Sequence, residues 1–205
     1  MTDEFCVRTA PFCAFVRRVN EIVDAEALPE RAIALLKPSF SALLVNDLWL
    51  PEEFARPAAV SGMGSGIGSF LLYRRSDHSL SISSLVISPG TKTPIHDHLA
   101  WGLVGLYRGE QHEEVFQPRG LDPHSGALDL IERRHLRRGD FYDLIPPHGD
   151  IHRVVAADEG PSVSIHLLRN DVGCVHRHRF DLESAAVAPF RSGYVNVSCS
   201  DEESK

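Results

Sequence analysis

Two histidines one residue apart, His96 and His98, and a third at His152 just after a Pro-Pro-His-Gly turn constrain this chain more than any other feature. On an extended strand alternate side chains share a face, so His96 and His98 can present both imidazoles to one side of a sheet. A third imidazole arriving on another strand closes three corners of a coordination shell and leaves other positions open. That suits a catalytic ion better than a structural one, which protein ligands enclose completely. The rest of the sequence reads as the vessel for this site.

The texture of the chain divides near its glycine-rich stretch at 61–68. Before it, Phe12, Phe15, Val16, Val19 and Val23 recur at three- and four-residue steps and predict an amphipathic helix. A second helix is expected from Pro29, carrying Ala32, Leu35 and Leu36. Pro38 should stop or kink it, with a further helical piece over 39–45. A turn or short helix is expected at 49–54. After Gly68 come short runs punctuated by Gly, Pro and Asp, predicting strands at 69–75, 79–87, 102–108, 113–117 and 127–134. Others are expected at 141–145, 151–156, 162–169, 174–180 and 194–198. Closely spaced strands with turns between them indicate a sandwich or barrel. The expected organisation is a helical segment over residues 1–60 packed on a β-barrel over 66–198, with 61–68 as a hinge and 199–205 as a disordered tail.

Composition narrows the partners. The chain has 205 residues, a formal net charge of −7 and no Lys/Arg block, which argues against nucleic acid or an anionic membrane surface. No apolar run has bilayer-spanning length, and the N-terminus lacks a signal-peptide pattern. Cys6, Cys13, Cys174 and Cys199 show no CxxC spacing, so reduced thiols in a cytoplasmic protein are expected.

Gly90-x5-His96-x-His98 followed by Gly109, and Gly139 followed by Pro147-x-Gly149-x2-His152, resemble the two signatures of the cupin superfamily. Ala156 stands where the second signature usually has Asn. The resemblance implies a mainly β protein, a cupin double-stranded β-helix (jelly-roll barrel) with N-terminal α-helices. Many cupins add a Glu ligand four or five residues after the second His, where this chain has Gly102 and Leu103, so a three-His metal site is expected. Within the superfamily that is typical of thiol dioxygenases. Thr93–His98 with Trp101-Gly102, Ser164-Ile165-His166, and Phe190-Arg191-Ser192-Gly193-Tyr194-Val195-Asn196 are similar to the bacterial cysteine dioxygenase and 3-mercaptopropionate dioxygenase group.

That resemblance implies a mononuclear Fe(II) enzyme that takes a small thiol substrate and O2 and forms a sulfinate. Cysteine, 3-mercaptopropionate or a related mercapto acid would be the substrate. Three neutral imidazoles leave a divalent ion its full charge, which favours anionic ligands such as a thiolate, although imidazole suits zinc as well as iron. In the family a Ser-x-His-x-Tyr strand holds a Tyr hydroxyl over the substrate. Here Ser164 and His166 are present but Leu168 replaces the Tyr, so Tyr73, Tyr107, Tyr142 or Tyr194 must substitute in space or the substrate has changed. The family's carboxylate anchor is also missing, its position falling on Gly68, Ser69 and Phe70. Arg74, Arg75 and Arg177 are the cations at hand, and Arg177 is the candidate substrate anchor, with a structural ion pair as the alternative.

Asp97 is expected to point away from His96 and His98. His148 reads as a solvated loop residue. His176 and His178 repeat the H-x-H spacing without a third ligand, which suits a lid or edge strand. Two other function classes stay open: a metal cupin with non-thiol oxygenase or isomerase chemistry, and a non-catalytic cupin that binds a small molecule. A homodimer is compatible with the resemblance.

Overall fold

The short, turn-separated runs after Gly68 assemble into two antiparallel sheets. The computed structural model describes residues 2–120, 126–157 and 160–199. In chain order its elements are β1 (Glu4–Phe5), α1 (Ala10–Ala25), α2 (Pro29–Leu44), β2 (Ile67–Arg74), β3 (Ser81–Ile87), β4 (Ile95–His96) and β5 (Gly102–Arg108). They continue with β6 (Glu110–Pro118), β7 (Leu128–Arg137), β8 (Phe141–Leu144), β9 (Ile151–Ala156), β10 (Ser162–Leu168), β11 (Arg177–Phe180) and β12 (Val187–Phe190).

One sheet has the order β1-β2-β3-β10-β5-β8 and the other β12-β11-β4-β9-β6-β7. The eight strands β3 to β10 therefore divide as β3-β10-β5-β8 against β4-β9-β6-β7. This is the strand order of a double-stranded β-helix, a jelly roll of two four-stranded sheets. The outer strands β1, β2, β11 and β12 lengthen the two sheets on one side.

The helices explain why the first sheet reads as nearly continuous apolar sequence. Phe12, Phe15, Val16, Val19 and Ile22 of α1 and Ile33, Leu36, Phe40 and Leu44 of α2 are buried in one cluster. That cluster also takes Ile82 and Val86 of β3, Leu103 and Tyr107 of β5, and Val163, Ile165 and Leu167 of β10. A β-carbon on Gly105 would lie 2.5 Å from Leu44 Cδ1, so a glycine there lets α2 lie down on β5. The alternate residues Ser83, Leu85, Val104, Ser164, His166 and Leu168 are also buried, on the other face. With both faces covered, sheet one carries an apolar outer face and a mixed inner one.

Three local expectations are corrected. Pro38 neither stops nor breaks α2, which runs from Pro29 to Leu44. Pro38 and Ala34, whose carbonyl loses its helical donor, both lie on the exposed side, while Phe40, Leu43 and Leu44 continue into the core. Burial of those three side chains, roughly 2 kcal/mol each, outweighs one lost hydrogen bond. Residues 194–198 form no strand. They cross as a strap in which Val195 N donates to Ser69 O and the Asn196 side chain bonds both the N–H and the carbonyl of Leu71. The third correction concerns the thiols: Cys174 and Cys199 form a disulfide, and only Cys6 and Cys13 are free. The strap brings the two sulfurs together, because Gly193 N donates to Gly173 O and Tyr194 Oη to Asp171. This pairing removes the thiol-based ground for a reducing compartment. It also fastens Cys199, the first residue of the expected tail; residues 200–205 lie outside the described residues. The expected hinge is partly structured, since Ile67 and Gly68 belong to β2 and Gly62 sits so close to Ser192 O that a β-carbon would come within 2.2 Å.

No described helix is long and apolar enough to cross a membrane.

Candidate metal centre

The barrel interior is apolar at both ends and polar in between. Met63, Ile67, Leu85, Ile87, Val154, Ala156 and Phe190 close one end, and Ala100, Val104, Leu144, Leu168 and Val172 the other. Between these plugs the second sheet presents three histidines. His96 of β4 pairs directly with His152 of β9, and His98 follows two residues on. Gly149, at φ 66°, makes the turn that feeds His152 into β9, a conformation that a residue with a β-carbon rarely adopts.

All three imidazoles are buried, and one ring nitrogen of each lies within 4.8 Å of the others. Outer partners face the Nδ1 atoms. His96 Nδ1 is 2.9 Å from Pro94 O, His98 Nδ1 is 3.2 Å from Asp150 O, and His152 Nδ1 is 3.4 Å from Tyr142 Oη. The Nε2 atoms are thus the ones left to converge, and His152 Nε2 is buried without any hydrogen-bond partner. A buried polar nitrogen in that state costs about 1–3 kcal/mol, and a cation among the three rings would relieve it. The donor set fits a divalent transition metal held through neutral imidazole. Burial, reinforced by His152 and Arg177 close by, keeps His96 well below the ordinary imidazole range, so it is a neutral ligand rather than a cation. Burial also lowers His98, against the opposing pull of Asp150.

Asp150 stands behind His98, with its carboxylate 3.3 Å from the ring Nδ1. Its two oxygens accept the main-chain N–H groups of His98 and Leu99 at 2.9 and 3.1 Å. Burial pushes its carboxyl up, but these bonds and the His98 ring more than offset that and hold it below the usual range. Asp97 points away from the three rings, yet it is not a loose surface group. It is buried and accepts both His178 N–H and the His178 ring at 2.7 Å.

The cavity beside the rings is lined by Ser69, Ser83, His96, His98, His166, Val172, Arg177 and Ser192, with Met63 and Leu85. Its free space is about 20 Å³, room for roughly one water or ion. Ser164 Oγ and His166 Nε2 are 3.1 Å apart and both residues are buried. Burial, with His98 and His152 nearby, holds His166 well below the imidazole range and hence neutral.

Arg177 lies in the same wall. Its Nε donates to Val172 O, Nη1 to Asp97 O and Nη2 to Ser192 Oγ at 2.9 Å, and its guanidinium lies 4.9 Å from the Phe190 ring centre. None of these partners is a carboxylate. Burial brings its pKa down to about 10, opposed by the more distant Asp97. Arg74 and Arg75 behave differently: Arg74 is paired with Glu4 and Asp171, and Arg75 with Asp24. Neither lines the cavity.

No tyrosine lines the cavity among the described residues. Leu168 is packed in the apolar plug. Tyr73 bonds Asp3, Tyr194 bonds Asp171, and Tyr107 packs on Trp49. Tyr142 stands behind His152 rather than over the open side, together with Glu113, a fully buried carboxylate that pattern reading passed over. Its one sequence signal is a pair of polar residues, Gln111 and Glu113, at inward positions of a strand otherwise facing Val115 to the core.

No family model matches the chain. Among solved structures, it resembles a conserved protein with a double-stranded β-helix domain from Klebsiella pneumoniae, at 14% identity and TM-score 0.44 over 72% of this chain and 99% of that one. A cupin 2 domain-containing protein from Halorhodospira halophila is 16% identical with TM-score 0.40, over 61% and 69% of the two chains. The oxalate decarboxylase of Lactobacillus farciminis, in a formate complex, is 14% identical with TM-score 0.42, over 59% of this chain and 32% of that one.

Proposed function

We propose that this protein is a mononuclear non-haem Fe(II) dioxygenase that oxidises a small thiol carboxylate, such as cysteine, 3-mercaptopropionate or a related mercapto acid, to its sulfinate with O2. The observation that carries the reading is a buried guanidinium without a carboxylate partner, Arg177, in the wall of one small cavity with His96 and His98. An uncompensated buried charge destabilises a fold, so its retention beside a metal-competent site favours an anionic ligand as the missing counter-charge. His96, His98 and His152 would hold the ion through Nε2. When bound, iron(II) would supply the redox centre at which a thiol and dioxygen are brought together.

The chain's own residues have distinct parts in this reading. Three of the five Arg177 N–H groups are engaged, which leaves two for a planar carboxylate. Asp97 O and Ser192 Oγ fix the guanidinium so that little side-chain entropy is lost when the substrate binds. His166, neutral and tied through Nε2 to Ser164, leaves Nδ1 to hold a substrate proton or hydrogen bond at the cavity wall. The apolar plugs at both ends limit water at the site, which strengthens each of these polar contacts.

One observation supports a second reading. The absence of a tyrosine from the cavity, with Leu168 in the apolar plug, favours a metal-dependent oxygenase or isomerase acting on a small carboxylate without a thiol. Anaerobic Fe(II) loading followed by oxygen-uptake measurements separates the two. Uptake with cysteine or 3-mercaptopropionate, near-absence of uptake with the decarboxylated thiol cysteamine, and sulfinate in the product by mass spectrometry are expected. Iron binding without any thiol response would discard the thiol assignment and favour the second reading.

A further inference from the structure

The three imidazoles are not held alike. His96 places Nδ1 against the Pro94 carbonyl at 2.9 Å, and His98 Nδ1 meets both the Asp150 carbonyl at 3.2 Å and the Asp150 carboxylate at 3.3 Å. His152 Nδ1 instead faces Tyr142 Oη at 3.4 Å and Glu113 Oε2 at 3.7 Å. Glu113 is 0% exposed, on the inner face of β6 beside the strand that carries His152. Its Oε1 accepts the Tyr142 hydroxyl at 3.2 Å and the Gln111 amide at 3.4 Å. Burial and the neighbouring Glu113 raise Tyr142 well above the ordinary phenol range, so that hydroxyl keeps its proton and donates. The other oxygen, Oε2, has no hydrogen bond. The nearest guanidinium nitrogen, Arg134 Nη1, is 3.9 Å away, and Arg134 Nη2 is committed to Glu132 at 2.7 Å.

Glu113 Oε2 and His152 Nε2 are thus both buried and both without a partner, and they lie at opposite ends of one imidazole. A cation would satisfy Nε2; it requires the ring proton on Nδ1 and polarises that N–H, which faces the Tyr142 hydroxyl at 3.4 Å and the Glu113 carboxylate at 3.7 Å. Without a cation both of these buried atoms stay unsatisfied.

We propose that Glu113 is the positioning residue of the metal site, fixing the tautomer and tilt of His152 from behind while Tyr142 holds the carboxylate in place. The proposal rests on the metal-binding part of the function proposed above and not on the thiol chemistry.

The test is Glu113→Gln, which keeps the shape and removes the charge. Zn(II) and Co(II) affinities would be measured on wild type and variant by chelator competition, alongside the melting temperature of each metal-free protein. A loss of roughly 10- to 100-fold in affinity, with the metal-free melting temperature unchanged or raised, is expected. Unchanged affinity overturns the proposal. So does an affinity loss matched by a fall in metal-free melting temperature, since a purely structural carboxylate would produce it. Should the variant not fold, the wild type supplies a second readout. Its Co(II) form should show three strongly shifted, solvent-exchangeable imidazole N–H resonances by proton NMR. Two such resonances would mean that His152 Nδ1 carries no proton and would overturn the assignment. Failure of wild type to bind either metal would remove the metal site itself, whereas unchanged affinity in the variant removes only the role of Glu113.

Discussion

His96-Asp97-His98 and His176-Arg177-His178 share a spacing and lie side by side, with Arg179 of β11 opposite His96 of β4. They are nevertheless turned opposite ways. In the first, both histidines are buried beside the cavity and the central Asp97 faces outward to His178. In the second, His176 is exposed, His178 bonds Asp97 on the outer side, and the central Arg177 lines the cavity. An H-x-H spacing guarantees that two rings share a face but not which face that is. Register against neighbouring strands decides it, and a one-residue difference exchanges inward for outward. In the proposed function the two stretches would cooperate, one supplying donors for a cation and the other a cation for an anion.

Four expected outcomes can break or sharpen this comparison. The largest contrast is between His96→Ala and His176→Ala: the first should abolish stoichiometric metal loading, measured by metal analysis after anaerobic Fe(II) exposure, and the second should leave it intact. Equal effects would mean that the two H-x-H pairs are not distinguished by phase. Next is Arg177→Gln, for which KM of a thiol carboxylate should rise on the order of a hundredfold through loss of charge-assisted hydrogen bonds, with metal loading retained. A normal KM would return Arg177 to a purely structural part.

Reduction or Cys174→Ser should lower stability by up to about 3 kcal/mol, because the disulfide closes a span of 25 residues that fastens the strap over Gly173. Chemical denaturation with and without reductant measures it, and no difference would show that the strap is held by its hydrogen bonds alone. The smallest effect concerns pH. Burial lowers His166 in the fold, while the unfolded chain has an ordinary value near 6.5. As pH falls below about 6.5 the unfolded chain takes up that proton first, so the contribution of His166 to stability is present at higher pH and is lost on acidification. His166→Phe should flatten the decline in melting temperature of the metal-free protein between about pH 6.5 and 5. An unchanged slope would place the proton uptake on other groups.

How much was legible differs from residue to residue. Most of the jelly-roll strands and both helices announced themselves because period-two and period-3.6 patterns are local, and because Gly and Pro mark the turns, whereas the short β1, β4 and β12 were not among the expected strands. Pro38 misled, since the sequence shows a broken hydrogen bond but not the core contacts of Phe40, Leu43 and Leu44 that outweigh it. Residues 194–198 look like a strand by composition, yet they meet β2 through one main-chain bond to Ser69 and the Asn196 side chain on Leu71, as a strap. Cys174 and Cys199 carry no spacing signal because their meeting depends on where that strap is laid.

By itself the sequence determined which residues alternate, where the chain turns, and that His96, His98 and His152 sit at spacings suited to one metal ion. Those are properties of neighbours along the chain and of steric limits on φ and ψ. The tertiary structure decided which face of 176–178 looks inward, that Leu168 fills an apolar plug, and that Arg177 is left without a carboxylate. It also decided that Glu113 stands behind His152. Each of these depends on contacts between strands far apart in sequence, in a barrel buried on both faces of one sheet, where local polarity no longer tells inside from outside.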